Sequence, residues 1–145
     1  MRALTVRQPW AGLIANGAKT IENRPRKTTY RGPVSIHAGK TLAIADWEWA
    51  RKQLSPKLVP NRDQLVLGAV VAVADLVGCH AAGWPSECNT PACKAWGEMG
   101  GDTWHWVLAD SRPLAEPVPA RGQLGLWTTD DFLTAAIEAA LEPKE

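Results

Sequence analysis

Apolar and polar residues alternate along Ala3-Leu4-Thr5-Val6-Arg7, the period of a half-buried strand. Gln8-Pro9-Trp10 breaks that period. Pro9 suits a first helical position, Trp10, Leu13 and Ile14 recur at helical spacing, and Asn16-Gly17 ends the turn. The pattern returns to a strand over Lys19 to Arg24, with Glu22 and Arg24 on one face and Ile21 and Asn23 on the other. A basic loop from Arg24 to Gly32 follows, in which Pro25 disfavours helix. Pro33 to Ala38 is a short strand whose Val34, Ile36 and Ala38 are expected to face the core, with Ser35 and His37 pointing the other way.

Thr41 to Leu54 reads as an amphipathic helix and Ser55 to Asp63 as a loop. The most strand-like run is Leu67 to Val77, expected at the centre of the sheet. His80 to Asp102 carries no period and is rich in Gly, Pro and Cys; a loop of that length in a compact domain is usually functional or mobile. Thr103 to Leu108 is a strand, Pro113 to Pro119 an extended, edge-like stretch, and Gln123 to Trp127 the last strand. Thr129 precedes a helix over 130–141, with Asp130 and Asp131 at its positive end. The sum is an α+β chain of five to six mostly antiparallel strands with two or three helices. With no internal repeat or linker, residues 1–145 are expected to form one domain, its sheet curled into a barrel.

Composition changes this picture little, and charge changes it more. The 46% hydrophobic and 21% charged content is ordinary for a soluble domain, and no apolar run approaches the roughly 20 residues that span a bilayer. Met1 to Arg7 lacks the apolar core of a signal peptide, so the expected location is cytoplasmic and no membrane partner is expected. Of the 16 basic and 15 acidic residues, eight basic and one acidic fall in residues 1–40. That asymmetry focuses positive field on one surface and favours an anionic partner such as nucleic acid. Eight tryptophans are a high count: most suit core packing, and one or two suit base stacking.

The candidate chemistry lies in Gly17-Ala18-Lys19-Thr20-Ile21-Glu22-Asn23-Arg24. A lysine, a carboxylate and an arginine gather there, either as a solvated face with weak ion pairs or as a site for something anionic and planar. In a binding role Arg24 offers a planar fork and Lys19 a point charge. Glu22 accepts from an exocyclic amine, and Trp10 supplies a stack. Arg26, Lys27 and Arg31 grip the flanking backbone. In an enzymatic role Lys19, its pKa lowered by burial and by Arg24, is nucleophile or base. Glu22 then carries the proton to the leaving amine. His37 could assist, although a strand histidine is more often a polar surface residue. Cys79, His80, Cys88 and Cys93 could supply four zinc ligands, but Cys-x4-Cys lies outside the tightest spacings, and reduced thiols are the expected state; no metal or cofactor is expected.

Taken in order, Gln8-Pro9-Trp10-Ala11, the G-x-K-x-x-E-x-R core from Gly17 to Arg24 and Gly32 to Ala38 resemble the ASCH domain. Trp106-Val107-Leu108, Arg112-Pro113-Leu114 and Gly122 to Trp127 continue the likeness, which runs from residue 3 to about 128. The resemblance implies a PUA-like β-barrel with a cleft between the first helix and the barrel. It implies recognition of RNA or a modified nucleotide there, with Lys19, Glu22 and Arg24 as the polar cluster and Trp10 beside it. Some small bacterial ASCH proteins are amidohydrolases that remove an acyl group from the exocyclic amine of cytidine. Their motif has a threonine where this chain has Glu22, and a separate glutamate later in the chain. Ribonuclease activity has also been proposed in the family.

Overall fold

The computed structural model describes residues 1–84 and 87–141. Strand β1 (Arg2–Gln8) leads into helix α1 (Trp10–Ala15), then β2 (Ile21–Arg24), β3 (Gly32–Leu42) and α2 (Ile44–Gln53). A single tight turn (Arg62–Gln64) precedes β4 (Ala69–Ala81), α3 (Pro91–Trp96), β5 (Trp104–Pro119), β6 (Leu126–Thr128) and α4 (Asp131–Leu141). The strands form one sheet in the order β2-β5-β4-β3-β1-β6. The β1–β3 pair is parallel and the other four pairs are antiparallel.

The expected barrel is not formed by a closed ladder: β2 and β6 are the two edges of the sheet. The sheet nevertheless curls, as twisted sheets do. β6 pairs with β1 only through Leu4, so Thr5 and beyond have a free edge. Arg24 on β2 reaches that edge and donates from Nη2 to the Thr5 carbonyl at 2.6 Å. A side chain, rather than backbone pairing, joins the two rims.

Both faces of the sheet are covered. On one, Leu4, Val6, Val34, Ile36, Ala72, Ala74, Leu76 and Leu108 pack with Ala11 and Ile14 of α1. On the other, Val70, Val73 and Leu114 pack with Ile137 of α4. An extra residue on β4, between the partners of Ile36 and His37, shifts the register and changes which residues reach each face. A third cluster, Leu13, Ala50 and Val59, fastens α2 to α1. Two-sided coverage explains why β3 is buried on both faces from Val34 to Gly39.

Three elements differ from the sequence pattern. Pro91–Trp96 is helical within a segment that shows no period; it is short, begins on Pro91, and is capped by Thr90, which accepts from the Cys93 amide at 3.1 Å. The two stretches 103–108 and 113–119 are one strand, and Asp110, at φ 48°, absorbs an irregularity between them. α2 is less amphipathic than its sequence suggests, with only Ala50 fully buried. Among the described residues no helix is long and apolar enough to cross a membrane.

Candidate functional site at the sheet seam

α1 is short because Gly17 takes φ 82°, a left-handed conformation that glycine adopts without strain. The turn returns the Lys19 amide to the Leu13 carbonyl at 3.0 Å and delivers the chain to β2. Gln8 holds the other end: its side chain accepts from the Gly12 amide at 2.9 Å and donates to the Val66 carbonyl at 3.0 Å. These contacts fix Trp10 and Lys19 against the seam between β1 and β2.

A cleft of about 610 Å³ opens there, lined by Thr5, Val6 and Arg7 of β1, Trp10 of α1, Lys19 and Glu22 to Pro25, Asp46 and Trp49 of α2, and Trp96 to Glu98. Its floor is an ionic chain. Glu22 Oε1 lies 3.4 Å from Lys19 Nζ, and Glu22 Oε2 lies 3.0 Å from Arg24 Nη2. Lys19 Nζ also donates to the Ile21 carbonyl. Lys19 and Glu22 are 4% and 6% exposed, so the solvated-face alternative does not describe them. Burial lowers the Lys19 pKa from the usual 10.5; Glu22 opposes that shift, Glu98 opposes it more weakly, and Arg24 adds to it.

Aromatic rings wall the cleft. Trp10 lies 6.1 Å from Trp49, centroid to centroid, with the planes tilted 53°. The Trp10 indole donates to Asp46 Oδ2 at 3.2 Å, and Lys19 Nζ sits 5.9 Å from its ring centroid. The opposite wall is pinned through Asn23, which donates to the Trp96 carbonyl at 2.9 Å and accepts from the Glu98 amide at 2.8 Å.

Of the residues singled out in the sequence, the cleft therefore gathers Trp10, Lys19, Glu22 and Arg24. Arg26 and Lys27 line a neighbouring groove with Arg2, Trp106 and Leu126. That loop is held by the Trp106 indole, which donates to the Arg26 carbonyl at 2.9 Å. Arg31 is exposed and donates to the Thr28 and Tyr30 carbonyls. His37 lies elsewhere: it is 1% exposed, donates to the Ala120 carbonyl at 2.7 Å and meets Trp127 edge-on.

Trp49, Asp46, Trp96 and Glu98 complete the cleft without having stood out in the sequence. Trp49 lies in the stretch that reads as an amphipathic helix, and it is 49% exposed. The richness in tryptophan was the available signal, and of the rings in the cleft only Trp10 was named from it.

Fold and cleft together define a small α+β protein with a charged, tryptophan-walled cleft at the open side of a curled sheet. The ASCH domain family model matches residues 4–115. The chain belongs to the ASCH domain family. Its structure is similar to the crystal structure of ASCH from Zymomonas mobilis, with TM-score 0.58 and 14% identity, covering 97% of this chain and 95% of that one. A tyrosine-to-phenylalanine mutant of the Zymomonas mobilis protein matches at TM-score 0.58 and 14% identity over 97% of this chain and 98% of its own. At that identity the likeness is one of fold.

Proposed function

We propose that the cleft binds a single nucleobase of RNA or a modified nucleotide. The observation that carries this reading is the union of the buried Lys19–Glu22 pair and the partly buried Arg24 with the tilted Trp10 and Trp49 rings in one cleft. Unpaired bases are recognised by stacking on aromatic side chains and by hydrogen bonds at their edges. Glu22 is the acceptor for an exocyclic amine, Lys19 and Arg24 face carbonyl or phosphate oxygens, and the half-exposed Trp49 stacks. Arg26 and Lys27 in the adjoining groove would follow the backbone beyond the bound nucleotide.

Titrating a short single-stranded RNA into the protein while following tryptophan fluorescence tests this. Quenching is expected, with affinity falling about 5- to 150-fold in Trp49→Ala, the equivalent of one stacked base. Trp49 is on the surface, so the variant keeps its fold. Equal affinity in native and variant proteins would overturn the reading.

A hydrolase reading of the same cleft is favoured by one further feature, Glu98. It supplies a second carboxylate near the depressed Lys19, in keeping with the separate glutamate of the related amidohydrolases. In this reading a carboxylate accepts a proton from water as the oxygen attacks the acyl carbon of acylated cytidine. The carbon–nitrogen bond then breaks, and the proton passes to the leaving amine. Chromatography of acylated cytidine incubated with native and Lys19→Ala proteins decides it. Cytidine and free acid from the native protein alone support hydrolysis, and no product from either rejects it.

A further inference from the structure

Behind the Trp96–Glu98 wall lies a cluster of side chains that nucleotide recognition does not use. His80 on β4 and His105 on β5 are register partners, so their imidazoles leave the sheet on one face. Their rings meet edge-on with centroids 5.1 Å apart. Cys88 and Cys93, the latter on α3, close over them. His80 Nε2 lies 3.2 Å from His105 Nδ1 and 3.3 Å from Cys93 Sγ, and Cys88 Sγ lies 3.3 Å from His105 Nδ1. The four donor atoms all fall within 4.8 Å of one another, and all four residues are buried.

The geometry points to a structural zinc site formed by His80, Cys88, Cys93 and His105. Zinc–nitrogen bonds of about 2.0–2.1 Å and zinc–sulfur bonds of about 2.3 Å in a tetrahedron set donor separations of about 3.3–3.8 Å. The separations of 3.2, 3.3 and 3.3 Å lie at or just below the lower end of that range. His105 Nε2 donates to the Glu98 carbonyl at 2.9 Å, which fixes the tautomer and leaves the Nδ1 lone pair aimed at the cluster. Gly97 makes that approach possible: a Cβ there would lie 2.5 Å from His105 Cε1 and 2.7 Å from the Cys93 carbonyl.

Two thiolates and two neutral imidazoles balance a dication, so the buried site carries no net charge. Two sulfur and two nitrogen donors in a tetrahedron suit zinc, and four protein ligands leave no open position for catalysis. Cys79, the neighbour of His80 on β4, packs against the opposite core and takes no part. The ion's role follows from position. It ties the excursion between β4 and β5 to the sheet and so holds Trp96, Gly97 and Glu98 as a wall of the cleft.

Metal analysis of the full chain, purified without chelator, tests the assignment. About one zinc per chain is expected, retained by Cys79→Ser and lost in the Cys88→Ser, Cys93→Ser double variant. Because that variant can fail to fold, the native protein is also stripped and reloaded with cobalt(II). Tetrahedral d–d bands with thiolate charge transfer are expected, together with Cys88 and Cys93 thiols that react only after chelation. Substoichiometric zinc before and after reloading, iron in its place, octahedral cobalt, or zinc lost in Cys79→Ser would each overturn the proposal.

Discussion

At the scale of single residues, Lys19 sets the character of the cleft. An ammonium this deeply buried is costly unless paired, and Glu22 pairs it only in part because it is shared with Arg24. Its lowered pKa has a signed consequence for stability. Between the folded-state value and about 10.5, the unfolded chain holds a proton that the folded chain has released, so stability rises with pH through that interval. Lys19→Met keeps the length of the side chain and removes the titration. The stability of the native protein relative to this variant should therefore rise as pH increases towards 10.5, by at most about 1.4 kcal/mol per pH unit. Urea denaturation of both proteins across that range checks it, and a difference independent of pH would refute it. Glu22, next in the ionic chain, was legible because strand alternation puts it on the face of Arg24. The packing that dries it was not legible, because the 96–98 wall comes from distant sequence.

At the scale of elements, the sequence pattern located most strands because alternation survives wherever one face is polar. It failed where tertiary pairing decides. Pro113, Pro117 and Pro119 lie in one strand with Trp104 because β2 occupies the outer side of β5 only from Trp104 to Val107. Beyond that point, among the described residues, the outer side has no strand partner, and prolines cost no ladder bond. The α3 segment was invisible for a different reason: six residues carry too little period to stand out. Cys93 on α3 and the preceding Cys88 meet His80 and His105 only in the folded chain, so the sequence alone offers Cys79 as the fourth candidate ligand and leaves out His105. Asn23 joins these elements, since β2 and the cleft wall meet at its amide. Asn23→Ala should leave the Trp96 carbonyl and Glu98 amide without that partner, at a cost of about 1–3 kcal/mol. Faster amide hydrogen exchange at 96–98, with protection in β3 and β4 unchanged, is the expected signature. Unaltered exchange at the wall would exclude this role.

At the scale of the whole molecule, the two rims of the sheet meet at a cleft that takes Arg7, Lys19 and Arg24 from the basic N-terminal segment and sets Glu22, Asp46 and Glu98 among them. The barrel expected from the ASCH likeness becomes a curled sheet sewn at Thr5 by Arg24, and the cleft occupies the seam. The seam of the sheet and this ionic lining therefore coincide, with tryptophans as markers around them. The Trp10 and Trp49 rings border the cleft, whereas the Trp47 indole donates to the Pro60 carbonyl outside it. That separation permits a direct test by nitrogen-15 NMR of the indole N–H groups during titration with a short single-stranded RNA. The Trp10 and Trp49 signals should move together in a saturable way while the Trp47 signal stays in place. Saturable binding that moves other indoles and leaves Trp10 and Trp49 unshifted would contradict the assignment of the cleft as the nucleotide site.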